Sequence, residues 1–262
     1  WCGYPLDKRI FPWNHANCGD LNLSGERRPQ SYLRETLWSD APVSHIVVTP
    51  PVPSFPLNPD KADWSVWDFP DVVDHWNFPG YEGKKMTVSV YSNCEQVELF
   101  LNGESLGKQE NTADKKNTLV WEVPYAHGIL KAVSYNKGGE VGTATLESAG
   151  KVEKIRLSAD RTEIVADGND LSYITLELVD SKGIRNQLAE ELVEFSIEGD
   201  ATIEGVGNAN PMSIESFVAN SRKTWRGSNL LVVRSGKSSG RIIVTAKVKA
   251  LPVASITITQ KK

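Results

Sequence analysis

From Val43 onward, apolar and polar residues mostly alternate, the period of strands with one buried face. VSHIVVT (residues 43–49) is β-branched and predicts a first strand. MTVSVYSN puts Val88 and Val90 on one face. VELFLNGESLG predicts a hairpin: Val97, Leu99 and Leu101 alternate, Asn102-Gly103 turns, and Leu106 returns. TLVWEVPY aligns Leu119, Trp121 and Val123. GILKAVSYN sets Leu130, Ala132 and Ser134 against Ile129, Val133 and Tyr135, and Lys137-Gly138-Gly139 turns into EVGTATLES. After Gly150-Lys151 the pattern restarts. IRLSADRTEIV predicts one strand, Ala166-Asp167-Gly168 a turn, and a second strand runs to a turn at Asp180–Gly183. Further strands are predicted around Phe195–Ile197, Ala201–Ile203, Leu230–Val233, Ile242–Ala246 and Ile256–Ile258. A long excursion is expected from Gly205 through Gly227. Short strands at this spacing predict tandem immunoglobulin-like β-sandwiches, at about residues 41–149 and 151–262.

The first forty residues follow another period. Leu21 and Leu23 alternate like a short half-buried strand, and Ser24-Gly25 breaks it. Pro29 suits a first helical position. Leu33 and Leu37 repeat at i, i+4, beside Tyr32 and Trp38, and Asp40-Ala41-Pro42 stops the helix. The Leu33/Leu37 stripe is expected to dock on the first sandwich or on a second copy of the chain. Pro50, Pro51, Pro53, Pro56 and Pro59 predict a stiff, extended connection.

Composition narrows the classes. The chain has 262 residues, 40% hydrophobic and 24% charged, with net charge −4, which is globular and too acidic for a nucleic-acid face. No run of 18 apolar residues occurs, so no membrane-spanning helix is expected. Cys2, Cys18 and Cys94 form neither metal spacing nor an even framework. Ordinary thiols are expected, with a Cys2–Cys18 bridge as the alternative. Asp167-Gly168-Asn169-Asp170 resembles an oxygen-rich calcium loop only loosely, and a plain turn is favoured. No metal or cofactor is expected.

Two motifs carry a family resemblance. Gly19, Asp20, Asn22, Leu23, Gly25, Arg28, Pro29, Gln30, Ser31, Tyr32, Arg34 and Trp38 resemble the last βα unit of the catalytic barrel in glycoside hydrolase family 2, β-galactosidase-like branch. Tyr91, Ser92, Asn93, Val97, Glu98, Leu99, Leu101, Asn102, Gly103, Leu106 and Gly107 resemble the immunoglobulin-like domain that follows that barrel. His75, Trp76, Phe78, Gly80, Glu82 and Gly83 resemble its opening, and residues 151–262 resemble invasin-like terminal domains.

The resemblance implies that residues 1–40 end a (β/α)8 barrel. Both catalytic glutamates would then lie upstream, in a longer bacterial polypeptide, periplasmic or at the cell surface. Glycoside hydrolysis needs two carboxyl groups flanking one bond. Glu26 and Glu35, the glutamates before residue 82, match no catalytic motif and are expected to be surface charges. The chain alone should therefore be inert. Trp13, His15 and Asn17, with Asn14, would stand near the barrel rim, where oligosaccharide substrate binds. Two other readings stay open: an autonomous carbohydrate-binding module, and a structural or adhesive immunoglobulin-like stalk.

Overall fold

The computed structural model describes residues 11–12, 19–55 and 70–262. It divides into two compact units. Residues 26–148 form the bulk of one, and residues 149–262 the bulk of the other.

In the first unit, β1 (Ser44–Val48), β2 (Lys85–Ser92) and β5 (Thr118–Pro124) form a three-stranded sheet in the order β1-β2-β5. β3 (Gln96–Leu101), β4 (Glu104–Glu110), β6 (Ile129–Asn136) and β7 (Gly139–Glu147) form a four-stranded sheet, β4-β3-β6-β7. Sheets of three and four antiparallel strands are the immunoglobulin-like plan. Met86, Val88, Val90, Leu119 and Val123 from one sheet meet Val97, Leu99, Leu130 and Ala132 from the other, all buried. The predicted faces of β2, β5 and β6 are the observed ones.

Trp76 closes one end of this core. It is fully buried, its indole Nε1–H donates to Ala126 O at 2.8 Å, and Phe78 and Tyr125 pack edge-on against it. The His75-Trp76-Phe78 motif therefore fills a core. The hairpin turn has Asn102 at φ 51° and Gly103 at φ 88°, as a tight turn with the twist of its strands requires. The Asn102 amide also bridges loops: Oδ1 accepts from Ile129 N and Nδ2 donates to His127 O. A Cβ on Gly128 would overlap that amide, which accounts for glycine there.

The second unit stacks a four-stranded sheet on a five-stranded one. The first holds β8 (Lys154–Ala159), β10 (Leu171–Val179), β12 (Ala201–Gly207) and β14 (Ser228–Ser235), ordered β12-β14-β10-β8. The second holds β9 (Glu163–Val165), β11 (Leu192–Glu198), β13 (Ser221–Lys223), β15 (Gly240–Val248) and β16 (Ala254–Lys261), ordered β13-β11-β15-β16-β9. Ile174, Leu176, Leu178, Leu231 and Val233 face Val193, Phe195, Ile242, Val244 and Ile258 in one core.

Two readings change here. IRLSADRTEIV is two strands in different sheets. The chain turns at Asp160, whose Oδ1 accepts from Arg161 N and Tyr173 N, and β9 then pairs parallel with β16. The expected excursion starts later, because Gly205–Gly207 continue β12 past a bulge and bury Val206. β13 then forms inside the excursion, paired with β11.

The N-terminal segment differs as well. Leu21 makes a single bridge to Arg27, and Leu21 and Leu23 are exposed, so no half-buried strand forms among the described residues. The Asn22 side chain closes a local turn instead: its Oδ1 accepts from Glu26 N at 3.0 Å and its Nδ2 donates to Glu26 Oε2 at 3.1 Å. Pro29 opens a 3-10 turn, Pro29–Ser31, which runs into α1 (Tyr32–Trp38). Of the Leu33/Leu37 stripe, Leu33 packs on the first unit, in a cluster with Tyr32, Val47, Val72 and Tyr91. Leu37 and Trp38 are 65% and 84% exposed. Seven α-helical residues make two turns, so only one turn reaches the sheet.

Candidate functional site

The most organised polar region lies where α1 meets β1. Ile46 and Val48 of β1 enter the sandwich core, while Val47 points into the cluster under the helix. β1 is thus covered on both faces. His45, at the start of that second face, stacks on Tyr32 with ring centroids 4.3 Å apart. Its Nε2 lies 2.9 Å from Glu35 Oε2, and Arg27 Nη1 donates to the same oxygen at 2.7 Å. Facing a carboxylate oxygen, Nε2 is placed to donate to it.

Arg27 also lies over the Tyr32 ring, and the Tyr32 hydroxyl donates to Asp74 Oδ2 at 3.2 Å. The Arg27 guanidinium holds the Glu35 carboxyl below its usual value, so Glu35 is an anion at neutral pH. Burial, reinforced by the Asp74 carboxylate, pushes the Tyr32 hydroxyl up to about 12. Glu35, expected to be a surface charge, is instead a half-buried anion with two partners. Arg34 pairs with Asp20 nearby.

Asparagines lock the helix end to the sheet. Asn93 Oδ1 accepts from Val43 N at 2.8 Å, and its Nδ2 donates to Ser39 O and Ala41 O. Asn117 Nδ2 donates to Thr36 Oγ1 at 3.1 Å. Asn111 Nδ2 donates to Ser92 O and Cys94 O beside them. Asn93, part of the second sequence motif, thus fixes the approach to β1.

A cleft of about 230 Å3 opens beside this lock, along the seam where edge strand β1 of one sheet meets edge strand β7 of the other. Glu35, Ser44, His45, Cys94, Ser134 and Thr143 supply its polar lining. Ser44 Oγ lies 2.7 Å from Ser92 Oγ and 2.6 Å from Ser134 Oγ, a hydroxyl chain that runs from half-buried Ser44 to the buried Ser92 and Ser134. Among the described residues none of the lining side chains is Lys or Arg, although Arg27 pairs with the lining Glu35. Cys94 is buried and free.

Trp13, His15 and Asn17, with Asn14, lie outside the described residues, as do Cys2 and Cys18, so the barrel-rim reading and the Cys2–Cys18 bridge remain sequence expectations. Glu35 and His45 were missed as a pair because ten residues and a change of element separate them. The signal was the unbroken apolar run Ile46-Val47-Val48, which marks a strand buried on both faces and hence a helix above it.

Elsewhere, Asp167 Oδ1 accepts from Asn169 N and Asp170 N, and Asp170 Oδ2 accepts from Val165 N, so these carboxylates close a turn. Among the described residues no group of three or more His, Cys, Asp and Glu side chains is placed to hold a metal ion. The 208–220 excursion wraps over Arg222, which is fully buried. Its guanidinium donates to Val206 O, Glu215 O and Ser213 Oγ and stacks on Phe217, and burial lowers its pKa.

The class this fold defines is a pair of β-sandwiches, antiparallel but for the β9–β16 pairing. Residues 155–257 match the family model for glycoside hydrolase family 2 C-terminal domain 5, and residues 83–142 match a domain of unknown function, DUF4982. The chain is 30% identical over 253 residues to Beta-galactosidase BoGH2A of Bacteroides ovatus, covering 96% of this chain and 26% of that protein. A crystal structure of a glycosyl hydrolase family 2 member from Bacteroides cellulosilyticus aligns with TM-score 0.89 and 95% identity, over 94% of this chain and 32% of that one. A β-glycosidase from Bacteroides vulgatus aligns with TM-score 0.80 and 25% identity, over 95% and 28%. The resemblance to the C-terminal portion of family 2 glycoside hydrolases is thereby shown. The chain spans about a quarter of the length of the curated relative from Bacteroides ovatus.

Proposed function

We propose that this chain is the non-catalytic C-terminal region of a β-galactosidase-like family 2 glycoside hydrolase. The observation that carries this is the alignment of nearly the whole chain with about a quarter of a β-galactosidase, joined to the C-terminal domain match at residues 155–257. In this reading residues 1–40 complete an upstream catalytic barrel, which supplies both acids and acts on an oligosaccharide outside the cytoplasm. The α1–β1 lock supports the reading, because it ties the last helix of such a barrel to the next domain. The exposed Leu37 and Trp38 then belong to the side of α1 that the barrel covers.

The separated chain, purified free of host galactosidase, is assayed on aryl β-galactosides and β-glucuronides. No turnover above a buffer blank is expected, because in this reading both acids lie upstream of these residues. Sustained turnover would place a catalytic centre inside these residues and overturn the assignment.

A further inference from the structure

We infer that the tip of the 208–220 excursion is a docking surface whose occupant is the upstream catalytic barrel of the same polypeptide. The inference rests on the family 2 reading and deepens it, because it gives the second unit a contact of its own with the catalytic part.

The tip is apolar and open to solvent. Ile214, Phe217 and Val218 are 73%, 48% and 85% exposed. Single exposed apolar side chains are ordinary, but three large ones in so short a stretch mark an interaction surface.

The tip is also held in shape. Arg222 donates to Glu215 O and Ser213 Oγ from beneath, and one face of Phe217 lies on its guanidinium. Val206 N donates to Phe217 O at 2.8 Å, and Lys223 N donates to Glu215 Oε1 at 3.0 Å. Gly205 permits this close approach, since a Cβ there would lie 3.2 Å from Phe217 O. The apolar side chains are thus presented outward before any partner arrives, which lowers the ordering cost of docking.

The occupant follows from what stands at the root of the excursion. Leu23–Gly25 belong to the second compact unit. A Cβ on Gly207, just before the excursion, would lie 4.0 Å from Ser24 Oγ. In the motif that resembles the last βα unit of a barrel, Ser24-Gly25 is the turn between strand and helix. Such a turn stands on the C-terminal rim of a barrel, beside its active site. The rim of the upstream barrel therefore reaches the root of the excursion, and the apolar tip lies within a few residues of it. The chain spans 26% of the Bacteroides ovatus relative, so most of such a polypeptide is left to supply the covering surface.

Hydrogen exchange of amides 214–219 is followed by mass spectrometry in the longer polypeptide that carries this chain and in the separated chain. Exchange should be about tenfold slower, or more, in the longer polypeptide. Val218→Asp, at an exposed position, should leave the melting temperature of the separated chain unchanged, yet bring exchange in the longer polypeptide back toward that of the separated chain. Lys223, exposed beside the tip, should cross-link to lysines of the barrel. Equal exchange in the two proteins, protection that survives Val218→Asp, or cross-links confined to domains before the barrel would each refute the docking. Protection that appears in the separated chain as its concentration rises, with a doubled mass, would assign the tip to a second copy and refute it as well. Turnover of aryl β-galactosides by the same longer polypeptide keeps the two readings apart. With turnover present, equal exchange overturns the docking alone; without turnover, the family 2 reading falls and the docking falls with it.

Discussion

Single residues in the second unit carry charges that its fold depends on. Arg222 is a buried cation without a carboxylate in hydrogen-bond contact, solvated by two carbonyls, one hydroxyl and an aromatic face. Arg222→Ala leaves those acceptors buried and unpaired, at about 1–3 kcal/mol for such a group. We expect a loss of about 2–4 kcal/mol in urea unfolding and new protease cuts within 208–220. An unchanged midpoint would show that the excursion does not need its pin.

Asp180 is the acidic counterpart. Burial alone would raise its pKa, but the N–H groups of Gly150, Ile184, Lys182 and Gly183 outweigh that and hold it down. Asp167, Asp170 and Asp200 are lowered too, chiefly by hydrogen bonds to the carboxylate. A carboxyl whose folded value lies below its unfolded one stabilises fully above the unfolded value, and the contribution fades as pH falls through the folded one. Residues 149–262 should therefore melt at lower temperature as pH drops below about 4, and Asp180→Asn should flatten that slope. A melting temperature indifferent to pH from 6 to 3 would contradict this assignment.

At the scale of elements, the short helix divides its own face. Leu33 lies on Val47, Val72 and Tyr91, while Leu37 projects into solvent. In the separated chain Leu37→Asp should change stability by less than about 0.5 kcal/mol, whereas Leu33→Asp should cost about 2 kcal/mol or more. Equal effects would mean that the helix packs differently. Tyr32 gives an alkaline check. Its folded value near 12 exceeds the ordinary 10, so the folded state keeps a proton that the unfolded state releases. Stability should hold below pH 10 and fall between pH 10 and 12, and Tyr32→Phe should remove part of that fall.

Most strands of both sandwiches were legible, because alternation in MTVSVYSN and TLVWEVPY reports one buried face directly. The Asn102-Gly103 turn was legible because positive φ at both positions narrows the residue choice. The sheet switch at Asp160 was not, since a side chain accepting two backbone N–H groups interrupts a strand without glycine or proline. The continuation of β12 through Gly205 and Gly207 was masked by glycines that normally mark loops. The cleft was invisible in the sequence because its lining comes from five segments far apart in the chain.

For the whole molecule, two separate apolar cores mean that each unit carries its own means of folding. Residues 149–262 expressed alone should give a cooperative melt and a β-rich circular dichroism spectrum. A non-cooperative melt would show that this core is incomplete by itself. A sandwich fold by itself does not decide the role of the pair.

The most direct measurement takes the longer polypeptide that carries this chain and assays it on aryl β-galactosides, with and without these 262 residues. The accessory-region account predicts glycosidase turnover by the longer polypeptide, and a lower melting temperature with reduced turnover once the residues are removed. A longer polypeptide that hydrolyses no glycoside, or one indifferent to their removal, would contradict it.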